Sequence, residues 1–239
     1  MSRAQRNIGR YARKIRNWIG AEATDSKSNE ALRGYELYPY LKTDGTFDYE
    51  TYRRIQIEGN RRKLDQIWVL EENVEFLSAY LSRQLEDVKF GICHGTRRGR
   101  EQEWFRKYLG CEMIGTEISD SAGEFPHTIQ WDFHQTKPEW IDAVDFIYSN
   151  SLDHSYDPES CFNEWMSCVR PGGLCILEHS SKHDPSGVNE LDPFGAHIAM
   201  MPYLITKWGQ GRYGVRELLE APVQDESVAD LSFLVIQRY

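Results

Sequence analysis

Cys93-His94-Gly95-Thr96-Arg97-Arg98-Gly99-Arg100 is the stretch on which the fold turns. It follows a short apolar run at 88–93 and precedes a helical pattern at 101–109, so it joins a strand to a helix. Glycine at positions 95 and 99 permits tight turning and close approach of the backbone to a ligand. The amides exposed where the helix begins suit a negative group, a carboxylate or a phosphate. The spacing is not Gly-x-Gly-x-x-Gly, so a dinucleotide fingerprint is not met.

Toward the C-terminus the pattern alternates. Strands are expected at 112–118, 127–131 and 144–149, the last an apolar run suited to a buried sheet position. A helix is expected at 158–169, and Arg170-Pro171-Gly172-Gly173 turns into a strand at 174–178. A helix at 195–207 and a strand at 231–238 follow, while 213–219 suits either state. Strands alternating with helices imply a mostly parallel, doubly wound α/β sheet. In such sheets ligands sit at the carboxyl ends of the strands, near the switch in strand order. Glu117 ends the second strand, where an acid is placed to accept hydrogen bonds from two ribose hydroxyls. Asp132, within Gln130-Trp131-Asp132-Phe133, suits an adenine amino group beside a ring, or equally a helix cap. Asp157-Pro158 reads as a helix start, whereas Asp153-His154 just before it has no such structural role.

Toward the N-terminus, 31–86 reads as mostly helical after a tyrosine-rich start. A turn at Thr43-Asp44-Gly45 precedes helical patterns at 48–63 and 66–84. These helices suit either a lid over the cleft or padding on one face of the sheet. Ile8, Tyr11, Ile15, Trp18 and Ile19 recur at helical spacing among basic residues, which describes a basic amphipathic helix. Three readings compete for it: packing on the body, contact with an anionic membrane surface, or a transit peptide. Residues 21–30 are small and polar and read as a linker. The domain expectation is therefore 1–30 helix and linker, 31–86 lid or padding, and 87–239 the α/β body.

The 239 residues carry a net charge of −9. All six ionic residues of 1–20 are basic, so the rest is more acidic than the whole and a poor general binder of nucleic acid. No apolar run approaches the length of a membrane-spanning helix. The five cysteines form no Cys-x-x-Cys pair, and free buried thiols in a reducing, cytoplasmic setting are expected.

These residues, in this order, resemble the class I S-adenosylmethionine-dependent methyltransferases. The resemblance covers roughly 87–239. Gly95-Thr96-Arg97-Arg98-Gly99 lies at the family's glycine-rich cofactor loop. Asn150-Ser151-Leu152-Asp153-His154-Ser155-Tyr156-Asp157-Pro158 looks like its Leu-Glu-His segment, and Val169-Arg170-Pro171-Gly172-Gly173-Leu174 like its Leu-x-Pro-Gly-Gly turn. The resemblance implies a Rossmann-like seven-stranded sheet with an N-terminal helical extension, and S-adenosylmethionine as cofactor. Gly95, Thr96, Arg97, Gly99, Glu117, Ile118, Asp132, Phe133 and Asn150 would then hold the cofactor, with Glu117 on the ribose and Asp132 on the adenine.

Two departures stand out. Cys93 replaces the acid that often helps hold the cofactor's amino group, and Arg97 replaces the middle glycine, where it could reach the cofactor carboxylate. His154, with Asp153 beside it, is the first candidate for a general base, and His179 is the second; His183 and His197 are weaker. No metal-ligand spacing supports a metal site. The sequence lacks the Asp/Asn-Pro-Pro-Tyr/Phe segment of nucleic-acid base methylation, so a small molecule or glycan precursor methylated on oxygen is expected. That acceptor class is fold-level analogy. A nicotinamide-dependent oxidoreductase and a non-catalytic nucleoside-binding or partner-binding protein are the alternatives.

Overall fold

A computed structural model describes residues 34–224 and 230–239. The basic segment at 1–20, its proposed membrane contact and the linker at 21–30 lie outside the described residues.

The sheet is built from β2 (Phe90–His94), β3 (Glu112–Glu117), β4 (Thr128–Gln130), β5 (Val144–Ser149), β6 (Val169–His179), β8 (Tyr213–Glu220) and β9 (Ser232–Arg238). Strand order is β4-β3-β2-β5-β6-β9-β8, and β9 is antiparallel to both of its neighbours. All other pairings are parallel. This is the expected seven-stranded, mostly parallel sheet. The order reverses between β2 and β5, so His94 and Ser149, paired in register there, flank the switch point.

Alternation along the strands feeds two apolar layers. Ile92, Ile147, Cys175 and Ile236 face one side, against Phe162 and Trp165 of α4 (Pro158–Cys168) and Leu204 and Trp208 of α5 (Met201–Gly209). Cys93, Phe146, Tyr148, Ile176 and Val235 face the other, against Leu77 and Leu81 of α2 (Glu71–Gln84) and Phe105 of α3 (Arg100–Leu109). All six residues of β5 are buried, as its apolar run requires. All five cysteines are buried and unpaired. Gly173 follows from close packing: a Cβ there would lie 2.7 Å from the Asp145 carbonyl oxygen.

Four elements differ from expectation. Strand β6 starts at Val169 and takes in Arg170-Pro171-Gly172-Gly173, where the sequence predicts a turn. The tyrosine-rich start holds a strand, β1 (Tyr35–Leu37), paired antiparallel with β7 (Phe194–Ala196). The helix expected at 195–207 therefore begins only at Met201, because Gly195 and Ala196 are taken by that ladder. The second N-terminal helix starts at Glu71 rather than near 66, leaving Ile67 and Trp68 exposed in the connection before it. The 213–219 segment is strand β8. The first N-terminal helix, α1 (Tyr49–Arg62), is capped by Asp48, whose carboxylate accepts from the Thr51 amide at 3.1 Å.

Candidate functional site

α1 crosses the carboxyl ends of the strands and is tied to four successive connections. Tyr49 donates to Asp132 Oδ2 at 2.7 Å after β4, and Tyr52 to the His154 carbonyl at 3.1 Å after β5. Gln56 donates to the Leu191 carbonyl at 2.9 Å after β6. Arg61 pairs with Asp120 and Asn60 accepts from Ser121 after β3. α2 instead buries its apolar face on the sheet. Thus α1 roofs the strand ends, while α2 pads one layer.

Past the C-terminal end of α1 lies a cleft of about 220 Å³ lined by Gly95, Thr96, Arg97, Glu101, Asn150, Asp153, His154, Glu178 and His183, together with Lys63, Ile67, Trp68 and Lys182. A smaller lobe of about 50 Å³ continues past Gly95, Arg97 and His154 to Glu117, Ile118, Asp132 and Phe133. The two lobes bring eight of the nine expected cofactor-binding residues together. Gly99 is the exception. It takes φ +72° as the residue before α3, and a Cβ there would sit 2.3 Å from Gln102 Nε2, so it shapes the turn without lining the cleft.

Gly95 has φ +74°, and a Cβ would lie 2.5 Å from the Ser151 Cβ. Its amide and that of Thr96 donate to the Thr116 carbonyl, closing the turn onto β3. Glu117 is buried. Its Oε2 accepts from the Arg97 amide at 3.1 Å and its Oε1 from the Ser119 amide at 3.0 Å. Burial raises its carboxyl above the usual range, and those two amides oppose the rise. Each oxygen keeps acceptor capacity for a second donor, such as a vicinal pair of hydroxyls.

Asp132 is more committed than its sequence setting suggested. Its Oδ1 accepts from the His134 amide at 3.0 Å and contacts His134 Nδ1 at 2.8 Å, while Oδ2 accepts from Tyr49. Burial alone would raise this carboxyl, but the His134 and Tyr49 hydrogen bonds outweigh it and hold it below the usual range. Asp132 is therefore first a hub that ties α1 to the body, with one acceptor position left on Oδ2 toward the cleft. His134 Nε2 continues the chain to Ser155 Oγ at 2.9 Å, and the ring stacks on Tyr156. Asp, His and Ser lie here in the order of a hydrolase triad. Ser155 is fully buried and lines no described cavity, so the chain holds structure and attacks nothing.

Of the base candidates, His154 faces both lobes. Its Nδ1 lies 2.8 Å from the Leu191 carbonyl, which can only accept, so the proton sits on Nδ1 and Nε2 is left as the basic nitrogen. Asp153 lines the cleft with Oδ1 buried and unpartnered. His179 does not reach the cleft. It is buried behind it with Nε2 on the Ala196 carbonyl at 2.8 Å, and burial with His183 nearby lowers it to about 4. The mini-sheet strand β7 supplies that carbonyl, which is why adjacency to β6 misled. His183 caps its own turn at Ser180, and His197 is exposed beside Asp184. Asp153, His154 and Asp192 place ligand-type atoms within 4.8 Å of one another.

Several site residues carried little sequence signal. His94 ends β2 buried, stacked on Trp165 and held by Thr116, and burial with His134 nearby pushes it down to about 3. Glu101 resembles any first-turn acid but is 8% exposed. Glu178, also buried, accepts from Tyr148 at 2.6 Å.

No family model matches the sequence, and no curated protein matches it. Solved structures do. A Burkholderia thailandensis 1,6-didemethyltoxoflavin N1-methyltransferase, solved with its substrate and S-adenosylhomocysteine, superposes with a TM-score of 0.61 at 10% identity, covering 81% of this chain and 91% of that one. A plantazolicin methyltransferase with a triazolic desmethyl-plantazolicin analogue and S-adenosylhomocysteine gives 0.61 at 10% identity, over 80% and 96%. A methyltransferase-like protein solved with the Haloferax volcanii Trm112 activator gives 0.54 at 14% identity, over 81% and 99%. The chain has the class I S-adenosylmethionine-dependent methyltransferase fold.

Proposed function

We propose that this protein is an S-adenosylmethionine-dependent methyltransferase acting on a small molecule. The observation that carries this reading is the Glu117 carboxylate, fixed by two amides at the end of β3 beneath the Gly95 turn. The residues fit the cofactor: the Cβ-free turn leaves room at Gly95, and the cleft wall holds buried polar atoms without partners at Thr96, Arg97 and Glu101. Glu117 would take the ribose hydroxyls, Ile118 and Phe133 the base, and Gly95 and Thr96 the centre of the molecule. The bound cofactor supplies a methyl group activated by its positive sulfur. The protein then has to orient the acceptor in line and exclude water. α1 serves the second task by roofing the strand ends.

The small-molecule reading is supported by the size of the cleft and by the compounds bound in the two structural neighbours described above. An oxygen acceptor, from a small molecule or a glycan precursor, matches the His154 geometry, because Nε2 is a proton acceptor on the cleft wall. Trp68, also lining the cleft, offers a ring for an apolar or planar acceptor. The Lys182 ammonium lies 4.4 Å from its centroid.

The reading is tested by incubating the full chain with methyl-labelled S-adenosylmethionine and a fractionated small-molecule extract. Label in a low-mass product supports it, and label only in macromolecules contradicts it. For that product, His154→Gln is expected to lower kcat by about 10²-fold or more while changing the affinity for S-adenosylhomocysteine less than about 3-fold. An unchanged kcat would remove His154 from the chemistry.

A further inference from the structure

The connection 63–70 between α1 and α2 is pinned in place and yet keeps two large apolar side chains in water. Val69 is buried in the apolar layer that also holds Leu77 and Leu81. Arg97 Nη1 donates to the Gln66 carbonyl at 3.2 Å, and Arg98 Nη1 to the Asp65 carbonyl at 3.4 Å. Between these anchors Ile67 is 47% exposed and Trp68 is 40% exposed. Both line the larger lobe of the cleft. Apolar side chains held in water on a pinned segment of a cleft suit contact with a ligand.

The charges around that surface are arranged unevenly. The whole chain has 28 Lys and Arg against 37 Asp and Glu. The larger lobe reverses that balance, with Lys63, Lys182 and three arginines of the turn against Glu101, Asp153, Glu178 and Asp192. Most of these groups already face a partner. Asp153 lies 3.9 Å from His183 and Asp192 lies 3.5 Å from His154. Glu178 accepts from Tyr148, and Arg97 is attracted to Glu101 and Glu117. Arg98 pairs with Asp65 and Arg100 with Glu103. The Lys63 ammonium, in contrast, has no ion pair or hydrogen bond among the described residues. Lys63 lines both lobes, as His154 does. Lys182 Nζ lies 4.4 Å from the Trp68 centroid, which adds positive charge beside the exposed ring. A cationic ligand there would be repelled, and a neutral one would leave Lys63 without a counter-charge. A ring that bears an anionic group satisfies both the indole and the ammonium groups.

We propose that Trp68, Lys63 and Lys182 form the acceptor subsite and select a ring with a broad apolar face that carries an anionic group, as in an aromatic acid or a uronic acid. This rests on the methyltransferase reading above and narrows its acceptor class. Trp68 supplies the face on which the ring stacks, and the two lysines supply the charge that selects the acid.

Ligand-observed NMR on the full chain, with and without S-adenosylhomocysteine, tests this with two matched pairs. One is 4-hydroxybenzoate and 4-hydroxybenzamide; the other is glucuronate and glucose. In at least one pair the acid is expected to bind about 5-fold or more tighter than its neutral partner, and that pair identifies the ring. Added salt is expected to narrow the gap. Lys63→Gln and Lys182→Gln are each expected to weaken that acid about 3- to 5-fold and its neutral partner less than about 2-fold. Trp68→Leu is expected to weaken both members about 3-fold or more. None of the three side chains is buried, and melting curves check that the variants fold. A fall in melting temperature for Lys63→Gln with the gap between acid and neutral probe unchanged would assign Lys63 to the end of α1 alone and overturn the proposal. Equal affinity within both pairs, or no probe bound more tightly than about 10 mM, also overturns it. Calorimetry with S-adenosylhomocysteine separates the two failures. Its binding without a preference for acids sinks the subsite and spares the cofactor reading. A preference for acids in a chain that does not bind it sinks the cofactor reading and leaves the subsite standing.

Discussion

Gly95→Val is expected to abolish S-adenosylhomocysteine binding, an affinity loss of about 100-fold or more, and to destabilise the protein by about 2–5 kcal/mol. Two independent costs add. The residue sits at φ +74°, where a β-branched side chain is strained, and its Cβ would lie 2.5 Å from the Ser151 Cβ and 2.6 Å from Ser151 Oγ. Ser151 cannot retreat easily: its amide donates to Ser149 Oγ and its hydroxyl contacts Asn150 and the Gly95 carbonyl. The turn must therefore move, and with it the Arg97 amide that fixes Glu117. Calorimetry and a melting curve check both parts. Retained affinity would show that the turn does not approach the cofactor.

The second large effect is on stability. Asp132→Leu leaves the Tyr49 hydroxyl and two His134 groups without their acceptor, and detaches α1 from the end of β4. A loss of about 3 kcal/mol or more is expected, a fall in melting temperature of roughly 6–12 °C. The pH dependence has a definite sign. The folded carboxyl titrates below its unfolded value, so its contribution is present above the ordinary carboxylate range and is lost as pH falls through the folded pKa. The difference in stability between wild type and Asp132→Asn should accordingly shrink in acid. A gap that stays constant down to the acid transition would contradict the hub role.

Much of this arrangement was legible in the chain because it is set by local chemistry. The buried run of β5, the Gly95 turn and the acid ending β3 depend on neighbours close in sequence. What escaped depends on partners far away. Phe194–Ala196 is a strand because Tyr35–Leu37 pairs with it, and that pairing also accounts for the carbonyl that occupies His179. Asp132 reads as an adenine ligand or a helix cap until Tyr49, on another element, is seen to donate to it. Glu101 reads as an ordinary acid in a helix's first turn. In the fold it is buried, with Arg97, Glu117 and Glu178 near enough to act on its charge. Cys93 and Arg97, the two departures from the family's cofactor loop, both lie close enough to that acid to interact with it electrostatically.

Glu117 is the residue through which this cleft is expected to bind S-adenosylmethionine. The most direct measurement is calorimetric titration of the purified chain with S-adenosylmethionine, with NAD as control and Glu117→Ala alongside. Micromolar binding of S-adenosylmethionine, none of NAD, and loss of the first in the variant are expected. Binding of NAD instead, or of neither ligand, would contradict it and leave the fold without the activity.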